Sequence, residues 1–195
     1  LDSADFTAKC IKYEENVTDY AIVGDSMIHR IKLQVPGEFN ILNSMAAIAV
    51  AKGEGISLEE CAAALRSFYG VKGRMEIMNI NAPFRVIIDY AHTPLAFENI
   101  LKSLKTAKKQ RQKLIVVFGC GGERDVKKRP EMAGIAEKYA DLSYVTGDNP
   151  RGESPEKIIN DIVSGFTKSS YVCEPERAVA IRKAILSANA GDIIA

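Results

Sequence analysis

The spacing of apolar positions changes character partway along the chain. Phe6–Tyr13, Tyr20–Gly24 and Met27–Val35 are short runs rich in β-forming residues, set apart by Asn16 and by Gly24-Asp25, and they predict strands. After Pro36-Gly37 the period lengthens. Ile41, Leu42, Met45, Ile48 and Ala49 predict one apolar face of a helix over Asn40–Lys52, closed by Gly53-Glu54-Gly55. Ser57 predicts the N-cap of a second helix running to about Phe68, with Glu60 completing a capping box. Tyr69–Gly73 then reads as a boundary.

From residue 84 onward strand and helix patterns alternate. Phe84–Asp89, the uninterrupted apolar run Leu114–Phe118, Leu142–Thr146, Tyr171–Cys173 and Ile193–Ala195 predict strands. Between them, Thr93-Pro94 opens a helix with Phe97, Ile100, Leu101 and Leu104 on one face. Pro130 opens another, with Met132, Ile135, Ala136 and Tyr139. Ser154-Pro155 begins a third, carrying Ile158, Ile159, Ile162 and Val163, and Pro175–Ser187 forms the last. Repeated βα units imply an α/β fold, a Rossmann-like and mostly parallel sheet flanked by helices. In such a sheet the loops that follow strands emerge at one edge, where ligands bind. The polar loops Asp89–Thr93, Gly119–Arg129 and Gly147–Arg151 all follow predicted strands, so they should converge on one cleft.

Composition narrows the class. With 47% hydrophobic residues the chain can bury a core, and a net charge of +1 gives no global field for nucleic acid or a membrane surface. No apolar run approaches the ~20 residues of a membrane helix. Cys10, Cys61, Cys120 and Cys173 are scattered and lack metal-ligand spacing, which suits a reducing cytoplasm. A start at Leu1-Asp2-Ser3-Ala4-Asp5 and a stop within a strand pattern read as a fragment.

Each polar loop admits two readings. Gly119-Cys120-Gly121-Gly122-Glu123-Arg124 places Arg124 where a dinucleotide fingerprint needs glycine, and its helix starts too late; it is a turn allowing close backbone approach, or an anion site. Arg124, Lys127, Lys128 and Arg129 beside that turn suit an anionic ligand, or form a solvated basic loop. Gly147-Asp148-Asn149-Pro150-Arg151 is built of turn residues, yet it offers a carboxylate, an amide and a guanidinium together. In Asp89-Tyr90-Ala91-His92-Thr93-Pro94, Asp89 could accept from hydroxyls as on a ribose, Thr93 could simply cap, and His92 could be a buried, satisfied histidine. His29, within a strand pattern, reads as structural. Asn40 and Asn43 stand three apart at a helix start, able to cap or to pair with an adenine edge. Arg74, in Gly73-Arg74-Met75-Glu76, falls at the boundary, where it could reach phosphates.

In this order, Pro36–Asn43, Gly73–Glu76, Asp89–Pro94, Gly119–Pro130 and Thr146–Arg151 resemble the successive motifs of the Mur ligases, from Val35 to the end of the chain. The resemblance implies that residues 1–72 are the end of a central ATP-binding domain. Residues 73–195 would be a C-terminal ligase domain, truncated at its end. It further implies ATP and Mg2+ as cofactors. In that family an ATP-derived phosphate activates the D-glutamate side-chain carboxylate of the nucleotide precursor, and the amine of an incoming amino acid attacks the acyl phosphate. Carried onto this sequence, Asn40 and Asn43 correspond to adenine contacts, Arg74 to a phosphate contact and Asp89 to the ribose contact. Arg124, Asp148, Asn149 and Arg151 correspond to the amino-acid pocket. The Asp-Asn-Pro-Arg form is that of the branch adding meso-diaminopimelate to UDP-N-acetylmuramoyl-L-alanyl-D-glutamate. Physics agrees, because a desolvated arginine favours the distal carboxylate that lysine lacks.

The departures are as informative. No G-x-x-x-x-G-K-[ST] phosphate loop occurs in the chain. The family's magnesium ligands and carbamylated lysine would lie upstream of Leu1, and a Gly-Lys-Gly-His-Glu segment would begin after Ala195. No catalytic or metal-binding residue is therefore assigned here, and the isolated chain is expected to be inactive. A monomeric cytoplasmic enzyme is expected, with no nucleic-acid or membrane partner. The alternatives are the lysine-adding Mur ligase, a folylpolyglutamate synthase relative, and a nucleotide-binding α/β module without ligase activity. Arg151 argues against the first, and Cys120-Gly121-Gly122 with Arg124 against the second.

Overall fold

The computed structural model describes residues 5–13, 17–24 and 27–195. Asn16 and Asp25, expected between strands, and the segment Leu1–Ala4 lie outside the described residues. The chain divides into two compact units, Leu1–Met75 and Glu76–Ala195.

In the first unit, β1 (Thr7–Tyr13), β2 (Thr18–Gly24) and β3 (Met27–Leu33) form an antiparallel sheet in that order. The register Tyr20↔Ile31 and Ile22↔His29 places Tyr20, Ile22, Ile31 and Leu33 in the core, where each is at most 1% exposed. Helix α1 (Glu38–Gly53) packs Ile41, Ser44 and Ile48 inward. Leu42, expected on that face, is exposed, because the buried stripe follows 41, 44 and 48. The Tyr20 hydroxyl meets the Ser44 hydroxyl at 2.8 Å, so the two buried polar groups satisfy each other. Helix α2 (Leu58–Arg66) starts at the expected capping box. Glu60 N–H donates to Ser57 Oγ (3.3 Å) and Ser57 N–H to Glu60 Oε2 (3.0 Å).

The second unit is the expected α/β layer structure, with strand order β4-β5-β9-β6-β7-β8. Strands β5 (Arg85–Ile88), β6 (Leu114–Phe118), β7 (Leu142–Val145), β8 (Tyr171–Cys173) and β9 (Ile193–Ile194) are parallel. The two-residue β4 (Glu76–Ile77), which hydrophobic period could not reveal, adds an antiparallel edge. Alternation along β6 divides the core. Phe118 packs against Phe97 of α3 (Pro94–Ala107), ring centroids 5.0 Å apart and planes tilted by 41°, while Ile115 faces Ala180 and Ala184 of α6 (Arg177–Ser187). Helices α4 (Lys128–Tyr139) and α5 (Pro155–Val163) continue the α3 layer, α4 packing on α3 and α5 on α4.

Three helix starts differ from the sequence expectation, and the first is α1, which begins at Glu38 rather than Asn40. Helix α4 begins at Lys128, so Pro130 is its third residue, and α6 begins at Arg177 rather than Pro175. Proline tolerates any first-turn position, because the N–H it lacks has no partner inside the helix. Among the described residues no helix is long and apolar enough to cross a membrane.

Candidate functional site

Asn40, Asn43 and Arg74 belong to the first unit. Because α1 starts at Glu38, after Gly37 (φ 107°), neither asparagine is the cap; both lie in the opening turns. Asn40 Nδ2 donates to Pro36 O at 2.7 Å, and Asn43 Nδ2 lies 3.5 Å from Asn40 Oδ1. This ordering leaves Asn43 exposed and turns the half-buried Asn40 back onto the chain that enters the helix. Arg74 is exposed, in a tight turn closed by its N–H to Val71 O (2.9 Å), with Gly73 (φ 71°) and buried Met75 (φ 46°) on either side.

In the second unit the three strand-following loops meet around one cavity of about 810 Å³, a volume typical of small-ligand sites. Its polar lining includes Asp89, Arg124, Lys128, Asp148, Arg151 and Arg177. Four cations thus face two carboxylates, which makes the cavity suited to an anionic or zwitterionic ligand. Thr146, also in the lining, is only 3% exposed, and its hydroxyl has no hydrogen-bond partner among the described residues.

The glycine turn after β6 exists to let two loops touch. A Cβ on Gly119 would lie 2.3 Å from Thr146 O, and one on Gly122 would lie 1.9 Å from Pro150 O. Gly122 N–H donates to Asn149 O (2.9 Å), and Arg151 Nη1 donates to Gly122 O (2.7 Å). Close backbone approach is realised, the backbone approached being the loop after β7, and Gly119, Gly121 and Arg124 of the same turn also line the cavity. Glu123 (φ 52°) and Arg151 (φ 50°) both hold the left-handed conformation, which costs energy for residues with a Cβ. Both flank that contact.

The basic stretch is only partly available to a ligand. Arg129 is fully buried, paired with Glu153 and Asp161 at 2.8 Å each. These bonds hold the Glu153 carboxyl down at about 2 and raise the Arg129 pKa further. Lys128 Nζ donates to His92 O (2.9 Å), tying this loop to the one after β5. Lys127 is exposed at the helix start and does not line the cavity. Arg124 is exposed at the rim.

Asp148 is held by a residue the sequence reading missed. Arg177 Nη2 contacts Asp148 Oδ1 at 2.8 Å and its Nε donates to Gly147 O at 3.0 Å. A usable signal existed: Arg177 follows strand β8, so the edge rule applied to it as well. Asn149 does not line the cavity; its amide oxygen accepts from Arg151 N–H (3.3 Å) and shapes the turn. Asp89 is half-buried, with Oδ1 accepting from Ala91 N–H (2.7 Å). His92 is exposed rather than buried, with Nδ1 3.1 Å from Tyr90 O. Thr93 caps α3 through Ala96 N–H. Burial pushes the Cys120 thiol up to about 11, so it is inert packing beneath the turn. Among the described residues, no three His, Cys, Asp or Glu side chains are grouped to hold a metal ion.

Comparison with known proteins extends this picture. The chain is 40% identical over 195 residues to UDP-N-acetylmuramoyl-L-alanyl-D-glutamate--2,6-diaminopimelate ligase 1 of Clostridium acetobutylicum, covering 99% of this chain and 40% of that protein. It is 42% identical over 193 residues to the corresponding ligase of Clostridioides difficile, again covering 98% of this chain and 40% of the relative. A solved structure of such a diaminopimelate ligase superimposes with a TM-score of 0.67 at 32% identity, covering all of this chain and 40% of that one. A Mycobacterium tuberculosis folylpolyglutamate synthase shares the fold (TM-score 0.80, 22% identity, 98% and 45% covered). The chain spans about 40% of the length of the curated relatives it matches. Residues 73–195 match the family description "Mur ligase, glutamate ligase domain". With more than half of its residues inside that match, the chain belongs to the Mur ligase family.

Proposed function

We propose that this chain is part of an ATP-dependent ligase that joins meso-diaminopimelate to UDP-N-acetylmuramoyl-L-alanyl-D-glutamate in peptidoglycan synthesis. Residues 1–72 would close its central ATP-binding domain, and residues 73–195 would form its C-terminal domain. The observation that carries the reading is the cavity at the strand ends, where Arg124 and Arg151 sit on two loops stitched together at Gly122. Two guanidiniums on fixed loops can pair with carboxylates at the two ends of one amino acid, while Asp148 attracts an ammonium group. Asn149, outside the cavity lining, would serve the site by shaping the turn that presents Arg151.

The chemistry asked of these residues is positioning. The amine nitrogen of the bound amino acid attacks the acyl phosphate carbon, a C–N bond forms, and a proton leaves the nitrogen. The tetrahedral intermediate expels inorganic phosphate by breaking the carbon–oxygen bond. Holding the amine at attack distance removes the entropy of bringing the partners together. Asn40 and Asn43 would meet adenine, Asp89 the ribose and Arg74 the phosphates. Phosphoryl chemistry would fall to a magnesium site and phosphate cradle in the remainder of the ligase, of whose relatives this chain spans about 40%. The enzyme would act in the cytoplasm as a monomer.

Mass spectrometry of the product that the complete ligase forms from the precursor, ATP, magnesium and a mixture of diaminopimelate and lysine tests this. The expected product carries one diaminopimelate on the glutamate side chain. A lysine product, or none, overturns the reading. The 195-residue chain alone should give no product.

A further inference from the structure

Arg129 carries a permanent charge with no exposure to solvent, near the start of α4. Its fork is shared among three segments. Nη1 and Nη2 take the two oxygens of Glu153 at 3.0 and 2.8 Å. Nη1 also donates to Asp161 Oδ2 of α5 at 2.8 Å, and Nη2 lies 3.4 Å from Gly121 O. Glu153 in turn accepts from the backbone N–H of Glu123. Arg124 follows Glu123 in the chain, and Arg151 lies two residues before Glu153. One guanidinium thus reaches both loops that carry the cavity's rim arginines.

Stability does not explain this arrangement, since apolar residues of similar volume commonly replace a buried ion pair without loss. What an apolar cluster lacks is direction. A planar fork bonded to a carboxylate, a second carboxylate and a carbonyl fixes angles as well as distances.

We propose that Arg129 is a positioning residue for the amino-acid site. It touches no substrate. It sets the loop after β6 and the loop after β7 at the separation where Arg124 and Arg151 grip one ligand together. The inference rests on reading the cavity as the amino-acid site. Lysine at this position keeps the charge but has no fork, so it cannot hold both oxygens of Glu153 and Asp161 at once. Asp161 binds the guanidinium from α5 and belongs to neither loop, so its loss should act in the same direction as that of Glu153 but more weakly.

The test is made in the complete ligase with Arg129→Lys, Glu153→Gln and Asp161→Asn, measuring KM separately for diaminopimelate, ATP and the nucleotide precursor. Arg129→Lys and Glu153→Gln should each raise KM for diaminopimelate about tenfold while the other two KM values stay put. Asp161→Asn should raise the same KM, but by less than the other two variants do. A parallel rise in every KM, or lost stability with no selective change, overturns the proposal and leaves Arg129 as a core ion pair. If Arg129→Lys does not fold, Glu153→Gln carries the same selective expectation. Arg151→Ala, assayed alongside, separates the two levels. If it raises the diaminopimelate KM while the Arg129 and Glu153 variants do not, positioning fails and the site stands. If none of them does, both fail.

Discussion

Replacing Gly122 with alanine adds one methyl group where the structure has no room for it. The new Cβ would sit 1.9 Å from Pro150 O, and Cβ contacts below 3.0 Å are essentially never seen in proteins. The obstacle is backbone, so no side-chain rotation relieves it. Gly122 lacks a positive φ, so the conformation itself suits alanine and only space is at issue. Relief requires the two loops to part by about 1 Å, which is beyond what a packed contact absorbs without loss. That separation breaks the 2.9 Å bond from Gly122 N–H to Asn149 O and the 2.7 Å bond from Arg151 to Gly122 O. One neutral and one charge-assisted hydrogen bond together contribute about 2–4 kcal/mol. Denaturant unfolding should register a loss of that size, and the KM for diaminopimelate in the complete ligase should rise because Arg151 loses its anchor. A Gly122→Ala protein with wild-type stability and wild-type KM would refute the idea that the glycine turn is a loop-to-loop contact.

Three further outcomes follow from individual residues. Glu153 is held at about 2 against an ordinary 4.5, chiefly by its bonds to Arg129, so its contribution is complete above about pH 4.5 and is lost as pH falls toward 2. Thermal unfolding between pH 5 and 2 should therefore be less steep in Glu153→Gln than in wild type, and superimposable profiles would contradict this. Iodoacetamide at pH 8 should label exposed Cys10 and Cys173 before buried Cys61 and Cys120, with the raised Cys120 thiol slowest; early labelling of Cys120 by peptide mapping would place the glycine turn wrongly. Ser57→Ala removes one half of a capping box and should cost about 1 kcal/mol in unfolding free energy, whereas no change would mean that packing alone fixes the start of α2.

Much of the fold was legible because period and capping speak locally. The run Leu114–Phe118 is a strand with the bounds the pattern assigned, and Ser57, Thr93 and Ser154 cap the helices they were expected to open. Strand β4 was not legible: two residues carry no period, and its pairing to Ile87 and Ile88 is decided by the sheet. Leu42 does not share the buried face of α1, since adjacent Ile41 and Leu42 stand about 100° apart around a helix and only one of them can point inward. At the site, the edge rule correctly brought the three loops together. It gave no means of dividing their charges. Arg129 and Arg124 look alike in sequence, yet one is buried against Glu153 and Asp161 and the other stands at the rim. Only long-range partners distinguish them, and Asp161, a carboxylate beside the buried Ile158–Ile162 stripe, was the available hint of a buried cation.

The most direct test of the account is the specificity of Arg151→Ala in the complete ligase, measured as kcat/KM on meso-diaminopimelate and on L-lysine. Arg151 is proposed to meet the distal carboxylate that only diaminopimelate carries. Truncating one partner of a desolvated charge pair costs 2 kcal/mol or more; because Arg151 is exposed before ligand arrives, about 2 kcal/mol, or roughly thirty-fold in kcat/KM, is the expected loss on diaminopimelate. Lysine, whose ammonium that guanidinium repels, should be used no worse than by the wild type. Equal proportional losses on the two amino acids would contradict the account, since Arg151 would then support the loop in general and the cavity would have no recognised basis for choosing diaminopimelate.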